Sequence, residues 1–302
     1  MDPVSITEIP DLELIERRGA LDIYKISSDR LLLLSTDRLY LKNQQVSQPI
    51  PSKGIITNKV SVYWFKKLSP FVHTFYLGND RDSLPEFLHR FRHLLNFRVI
   101  FAKPIKSIPI QCNVISTIED TAWDEFQKTG TIAGIPVPEG LLKGNPLPFP
   151  LFAPKLTTSL NKTSGYASFE ELKEFAGPDI AQFLQDKSIE IYLFASRIFQ
   201  QKGINLLSCS FEYGLSDDTI LLASFPFTPE TATFSLRKSL NPLDSESFLD
   251  NRIALEELNE DAEPIESDKP IHLQQVTLSR ISHAYDQYFN LLTKDEPRTI
   301  WR

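Results

Sequence analysis

The chain has 302 residues, 41% of them hydrophobic and 24% charged, with a formal net charge of -7. That length and balance suit one two-lobed globular unit or two modest domains with a real core. They exclude a broad basic surface, so neither nucleic acid nor an anionic membrane is an expected partner. No apolar run approaches the roughly 20 residues that a membrane-spanning helix needs. Two cysteines, Cys112 and Cys209, each sit in an apolar run. They read as buried thiols rather than a disulfide framework or zinc site. The N-terminus has no basic-then-apolar signal pattern, so a cytoplasmic, reducing location is expected. The acidic run Glu256, Glu257, Glu260, Asp261, Glu263 and Glu266 reads as a solvated surface.

In chain order, Ala20 to Ser27 and Arg30 to Ser35 are β-rich runs around Ser28-Asp29, a hairpin pattern. Gly54 opens a helix whose apolar positions Ile56, Val60, Trp64 and Leu68 recur every four residues, and Pro70 ends it. Ser83 caps a second helix with Phe87, Phe91, Leu94 and Leu95 on its apolar side. On that helix His89 and His93 share one face. They lack the glutamate and third ligand of a zinc motif, so they read as a solvated face. Val99 to Phe101 and Ile108 to Ile118 are strands. Prolines from Pro136 to Pro154 exclude a long helix or a central strand and predict a long loop. Ser168 and Glu171 have capping-box spacing, and the helical zone they open is interrupted at Pro178 and resumes to about Lys202. Leu206 to Phe211 pairs with Thr219 to Phe225, and a final helix runs from about Leu273 to Leu292.

Several ordered segments carry a family resemblance. They are Asp22-Ile23-Tyr24 with Ser35-Thr36-Asp37-Arg38, Ile50-Pro51-Ser52-Lys53-Gly54, and Ala122-Trp123 with Lys128-Thr129-Gly130-Thr131. Phe211-Glu212-Tyr213-Gly214, followed by Thr228-Pro229, completes the set. In order and spacing the chain resembles the SAICAR synthetase family over nearly its whole length. The resemblance implies an α+β, two-lobed fold. A small β-rich N-terminal lobe would span residues 1–106, and a larger α/β C-terminal lobe residues 107–302. It also implies ATP-driven joining of aspartate to a carboxylated aminoimidazole ribotide through an acyl phosphate.

That chemistry needs cations on phosphate oxygens, carboxylates on magnesium and arginine forks on the substrate phosphate. The family's phosphate loop, Gly-Lys-x-Arg, is matched here by Arg18, Gly19, Ala20 and Leu21. After Thr-Asp-Arg the family's small and acidic run is replaced by Leu39, Tyr40, Leu41, Lys42 and Asn43. A substrate glutamate becomes Gln111 and a substrate arginine becomes Ile115; Asp120 and Thr121 follow in the same stretch. The Asp-x-Lys before Phe-Glu becomes Ser208 and Ser210, the magnesium-binding Asp-Glu becomes Ser224 and Phe225, and the arginine after Thr-Pro becomes Thr233. The family's Asp-Lys-Gln has no counterpart around Asp244 to Ser247.

The candidate catalytic residues are therefore Glu212, Asp37 and Arg38, with Asp37-Arg38 read either as a catalytic ion pair or as a structural one. The candidate ligand pocket is Leu21, Asp22, Tyr40, Lys53, Gln111, Ile115 and Asp120, with Ser208, Ser210, Ser224, Phe225 and Thr233. Lys53 and Lys128 stand in matching motifs and are candidate anion binders. No metal site and no cofactor are expected. Neutral and apolar replacements predict a repurposed pocket protein that does not use ATP, holding a partly apolar small molecule and acting as a cyclase or isomerase of specialised metabolism. The alternatives are an inactive paralogue working through protein contacts and a divergent ATP-dependent member of the family; a homo-oligomer is an open assembly for any of these readings.

Overall fold

The computed structural model describes residues 2–41, 44–79, 84–157, 165–237, 247–260 and 270–296. The expected cap Ser83, Lys42 and Asn43, Asp244 to Glu246, and the acids Asp261, Glu263 and Glu266 lie outside the described residues.

The N-terminal half begins with β1 (Glu13–Arg18), β2 (Leu21–Lys25) and β3 (Leu31–Ser35). A short ribbon follows, β4 (Tyr40–Leu41) with β5 (Gln44–Gln45), and then α1 (Lys53–Leu68). After α1 come β6 (Tyr76–Gly78), a 3-10 segment (Glu86–Phe91) that passes into one α-turn, α2 (Arg92–Leu95), and β7 (Val99–Ala102). The strands form an antiparallel sheet in the order β1-β2-β3-β7-β6. The leucine run of β3 is apolar at every position because both sheet faces are covered. Ile23, Leu33 and Ile100 face one cluster with Phe65 of α1, whereas Tyr24, Leu32, Leu34 and Phe101 face another with Leu88 and Leu95.

The single helix expected around His89 and His93 is not formed. The chain changes from 3-10 to α winding between them, Leu88 and Leu95 are buried, and Phe87 is exposed. His89 instead sits 3.2 Å from the Leu84 carbonyl oxygen.

The C-terminal half contains β8 (Lys106–Thr117), α3 (Asp120–Thr129), a two-strand ribbon of β9 (Thr131–Ile132) and β10 (Ile135–Pro136), and β11 (Pro146–Leu156). Next are α4 (Phe169–Ala176) and α5 (Pro178–Gln201), then β12 (Ile204–Ser216), β13 (Thr219–Leu222) and β14 (Ala232–Leu236). Helices α6 (Arg252–Glu260) and α7 (Gln275–Thr293) follow. The second sheet runs β11-β8-β12-β13, and β14 pairs with the first half of β12.

The proline-rich stretch is a strand from Pro146 rather than a loop. It lies at the sheet edge, where absent N–H groups cost little, and its register slips between Pro146 and Leu151. The Ser168–Glu171 capping box is formed in both directions, and Pro178 occupies the first turn of α5. Alternate residues of β8 and β12 (Ile110, Cys112 and Val114; Cys209, Phe211 and Tyr213) face the helical core with Trp64, Phe199 and Phe227. The other alternation faces the site. Among the described residues no helix is long and apolar enough to cross a membrane.

Candidate functional site

The pairing register places side chains of three strands in rows, because residues directly opposed in a sheet point to the same face. Leu151, Ile115 and Ser208 form one row; Ala153, Asn113 and Ser210 the next; Lys155, Gln111 and Glu212 the third. A cavity of about 310 Å³ lies over the first two rows. Ile115, Asn113, Ser208 and Ser210 form part of its wall, with Tyr40 and Tyr166. The turn after Thr228-Pro229 supplies Glu230 and Thr231, β14 supplies Thr233, and the entry to α6 supplies Asp250, Asn251 and Arg252.

A charged network supports this wall. Ser208 and Thr233 share a hydroxyl contact of 2.7 Å, and Thr233 Oγ1 donates to Glu119 at 3.3 Å. Arg252 Nη1 donates to Glu119 at 2.7 Å, and its Nε and Nη2 both reach Asp250 at 2.9 Å. Asp250 also accepts from the backbone N–H of Phe234 at 2.6 Å and of Arg252 at 2.9 Å. Burial pushes the Glu119 carboxyl above the usual carboxylate range, and Arg252 opposes that shift. For Arg252, burial works against the charge, but Asp250 and Glu119 together outweigh it. Below the cavity, the fully buried Lys53 ion-pairs with Glu230, which also accepts from Thr57 at 3.2 Å.

Five expected pocket residues therefore come together: Tyr40, Ile115, Ser208, Ser210 and Thr233. Gln111 and Glu212 occupy the adjacent row, and Ser224 Oγ accepts from the Glu212 N–H at 3.1 Å. Glu212 is half exposed and lies 3.9 Å from Arg18 of β1. Leu21 and Phe225 are not at this cavity. Phe225 is buried between the lobes, edge-on to Phe65, and Leu21 packs against the same cluster. Asp120 is exposed and ion-pairs with Lys143, and Lys128 is exposed at the end of α3.

Asp37 and Arg38 do not pair with each other. Asp37 takes both Arg98 terminal nitrogens, at 2.8 and 2.9 Å, and the N–H groups of Val4 and Gly54. Arg38 donates to the carbonyls of Gly19, Ser5 and Leu21 and to Asp22 at 2.7 Å, while Asp22 also binds Thr7. All four charged groups, Asp37 with Arg98 and Arg38 with Asp22, are buried and occupied by protein partners, an occupancy that favours a structural role although the expected Asp37-Arg38 pair is not formed.

Asn113, Tyr166, Glu119, Glu230, Asp250, Asn251 and Arg252 were not expected at the site. Alternation from Gln111 to Ile115 identifies Asn113. Asp250-Asn251-Arg252 is an Asp-first triplet three residues past the stretch where the Asp-Lys-Gln counterpart was sought.

Magnesium carried by a nucleotide is held by one or two protein carboxylates together with the phosphates rather than by an all-protein cage. Glu212 faces Gln111 across the strands and Ser224 beneath, and the described residues hold no group of three metal-type ligands. Glu212, half exposed, would be the carboxylate that holds such an ion against the phosphates of a nucleotide. The stretch matched to the phosphate loop keeps one side-chain cation, the half-exposed Arg18, 3.9 Å from Glu212.

The family model described as SAICAR synthetase matches residues 17–266. The phosphoribosylaminoimidazole-succinocarboxamide synthase of Maridesulfovibrio salexigens is 29% identical over 96% of this chain and 97% of its own. The enzyme of that name from Citrifermentans bemidjiense is 31% identical over 80% of this chain and 81% of its own. Among solved structures, SAICAR-synthase from Saccharomyces cerevisiae, complexed with SAICAR, superposes with a TM-score of 0.84. It is 25% identical over 97% of this chain and 99% of its own. A type-2 SAICAR synthetase in complex with ADP, 16% identical with a TM-score of 0.67, shares the fold.

These relatives overturn the expectation of a repurposed, ATP-independent cyclase or isomerase, and they lend no support to an inactive paralogue. The physical reason lies in where charge was sought. Charge is missing at family-matched positions, whereas Glu119, Lys155, Glu230, Asp250 and Arg252 bring charge to the same face from elsewhere in the chain. Of the three apolar replacements that suggest a cleft of changed polarity, Leu21 and Phe225 belong to the inter-lobe core, and only Ile115 lines the cavity. With its α+β architecture and a family match spanning most of its length, the chain belongs to the SAICAR synthetase family.

Proposed function

We propose that the chain is a ligase that forms the amide of phosphoribosylaminoimidazole-succinocarboxamide, joining aspartate to a carboxylated aminoimidazole ribotide at the expense of ATP. The observation that carries this reading is the end-to-end similarity to a synthase of that name, 29% identical over 96% of the chain and 97% of the relative. The superposition on a SAICAR complex supports the same substrate class.

In this reading the cavity over β8 and β12 receives the ribotide. Ser208, Ser210 and Asn113 offer hydroxyl and amide partners that fix a polar heterocycle without charge. Arg252 acts as a positioning residue. It holds Asp250 and Glu119, and Glu119 in turn holds the Thr233–Ser208 hydroxyl pair in one orientation. Glu212, half exposed between the lobes and close to Arg18, is the carboxylate available where the second substrate meets the first. Orientation of two reactants is a large part of such a rate enhancement.

The test is to incubate the purified chain with the carboxylated ribotide, aspartate, ATP and magnesium and to follow SAICAR by mass spectrometry. Product that depends on ATP and on aspartate is expected. Product no greater than in the enzyme-free mixture overturns the proposal.

A further inference from the structure

The cations around the site differ in one respect. Arg252 is held by Glu119 and Asp250, Lys53 by Glu230, and Arg18 lies beside Glu212. Lys155 ion-pairs with no carboxylate among the described residues. Its ammonium has one hydrogen-bond acceptor, the neutral Thr121 Oγ1 at 3.3 Å, and lies 4.9 Å from the centre of the Tyr166 ring.

The register fixes where this lysine points. Lys155 opposes Gln111, which opposes Glu212, so all three share the face that carries the cavity. Asn113 and Ser210, in the neighbouring row, line the cavity, and so does Tyr166. The lysine therefore stands one row beyond the wall and against a ring that forms part of it.

From this placement we propose that Lys155 is the cation that receives an anionic oxygen group of the ligand, a phosphate or a carboxylate, at the edge of the cavity. A half-buried ammonium with a single neutral acceptor retains donors for such a group, and an ammonium binds phosphate as a point charge. Burial lowers the proton affinity of Lys155, the direction expected of a cation kept from water without a counter-ion. Glu119, the acid felt most strongly at Tyr166, is itself paired with Arg252 and so does not serve as that counter-ion. The position also offers what the family-matched Ile115 and Thr233 do not, a positive charge on the cavity face. This inference deepens the ligase reading and uses its product as one probe.

The test is calorimetric titration of SAICAR, inorganic phosphate and succinate into the intact chain and into its Lys155→Met and Lys155→Arg variants. Thermal unfolding of each variant checks that it is folded. SAICAR affinity is expected to fall about ten- to a hundred-fold in Lys155→Met, the effect of losing one charge-assisted contact, and to return in part in Lys155→Arg. Phosphate and succinate carry the two anionic ends of SAICAR separately. The fragment whose binding weakens in Lys155→Met identifies the group that Lys155 holds. If Lys155→Met binds SAICAR as tightly as the unaltered chain, the proposal is overturned. If the unaltered chain does not take SAICAR, the ligase reading fails, and the fragments alone decide Lys155. Weaker binding of either fragment by Lys155→Met sustains the proposal, and equal binding, or none to either protein, overturns it.

Discussion

Replacing Asp37 by asparagine tests the assignment of the Thr-Asp-Arg segment to structure rather than chemistry. The carboxylate has no solvent exposure, and the Arg98 side chain facing it has only 2%. Its two oxygens accept four hydrogen bonds, two from the guanidinium and one each from the N–H of Val4 and of Gly54. The amide keeps one acceptor oxygen and turns an NH₂ group toward donors. Arg98 thus loses its counter-ion while still buried. Breaking a buried pair from one side costs about 3–5 kcal/mol. That is a large fraction of the roughly 5–15 kcal/mol that holds an ordinary domain together. Urea unfolding followed by the fluorescence of the buried Trp64 measures it. The midpoint should fall with the slope unchanged. Adding Arg98→Met should give a double variant less destabilised than the sum of the two single ones. A D37N protein of unaltered stability but lost turnover would refute the structural assignment and restore Asp37 to the chemistry.

Arg252→Met should destabilise the chain by about 3–5 kcal/mol at neutral pH, since it leaves Glu119 and Asp250 without their shared cation. Without Arg252, the Glu119 carboxyl is pushed further above its unfolded value, so the folded state holds the proton more tightly than the unfolded one. The Glu119 share of the loss should be small below the ordinary glutamate range and grow as pH rises toward the folded value, which thermal melts at several pH values will show. Gly54→Ala should cost about 1–3 kcal/mol by overpacking, because a Cβ there overlaps the Ser35 carbonyl and the Arg98 guanidinium; differential scanning calorimetry would reveal it, and an unshifted melt would contradict that contact. Ser168→Ala should lose about 1 kcal/mol from the formed capping box, whereas Phe225→Ala should lose about 3–5 kcal/mol from the inter-lobe cluster, both read by chemical denaturation.

Much of the fold was legible because local signals and tertiary demands agree. The β12–β13 turn, α1, α7 and the capping box at Ser168 follow from turn residues, periodicity and spacing, but Leu206 to Phe211, expected to pair with β13, pairs with β14 and β8 while Tyr213–Ser216 pairs with β13. The segment from Glu86 to Leu95 was misjudged because its task is to cover the outer face of the first sheet. Leu88 and Leu95 meet that face through a change of winding that no single period describes. β11 was missed because prolines veto a central strand and say nothing against an edge.

At the site, the family resemblance pointed to Gln111, Ile115, Ser208 and Ser210, and the strand register sets them on one surface. Glu119 and Arg252 were not readable. They are 133 residues apart in sequence, and only the chain's return past β14 brings α6 against the turn before α3. Nor does sequence show which way Phe225 points. It stands next to Ser224, which caps the Glu212 N–H, yet its ring turns to Phe65 and away from the cavity.

Helix α1 contributes to two cores at once. Val62 and Phe65 lie in the cluster under the first sheet, while Ile56, Val60, Tyr63 and Trp64 lie in the core behind the second. Backbone hydrogen bonds from Phe75 to Leu222 and from Leu222 to His73 tie the sheets along the β6 and β13 edges as well. The helix is thus a common beam, and a pivoting motion of one half against the other would expose aromatic surface on it. The half-exposed Arg18–Glu212 pair, 3.9 Å across the join, accordingly adds little to that hold, which the shared helix supplies.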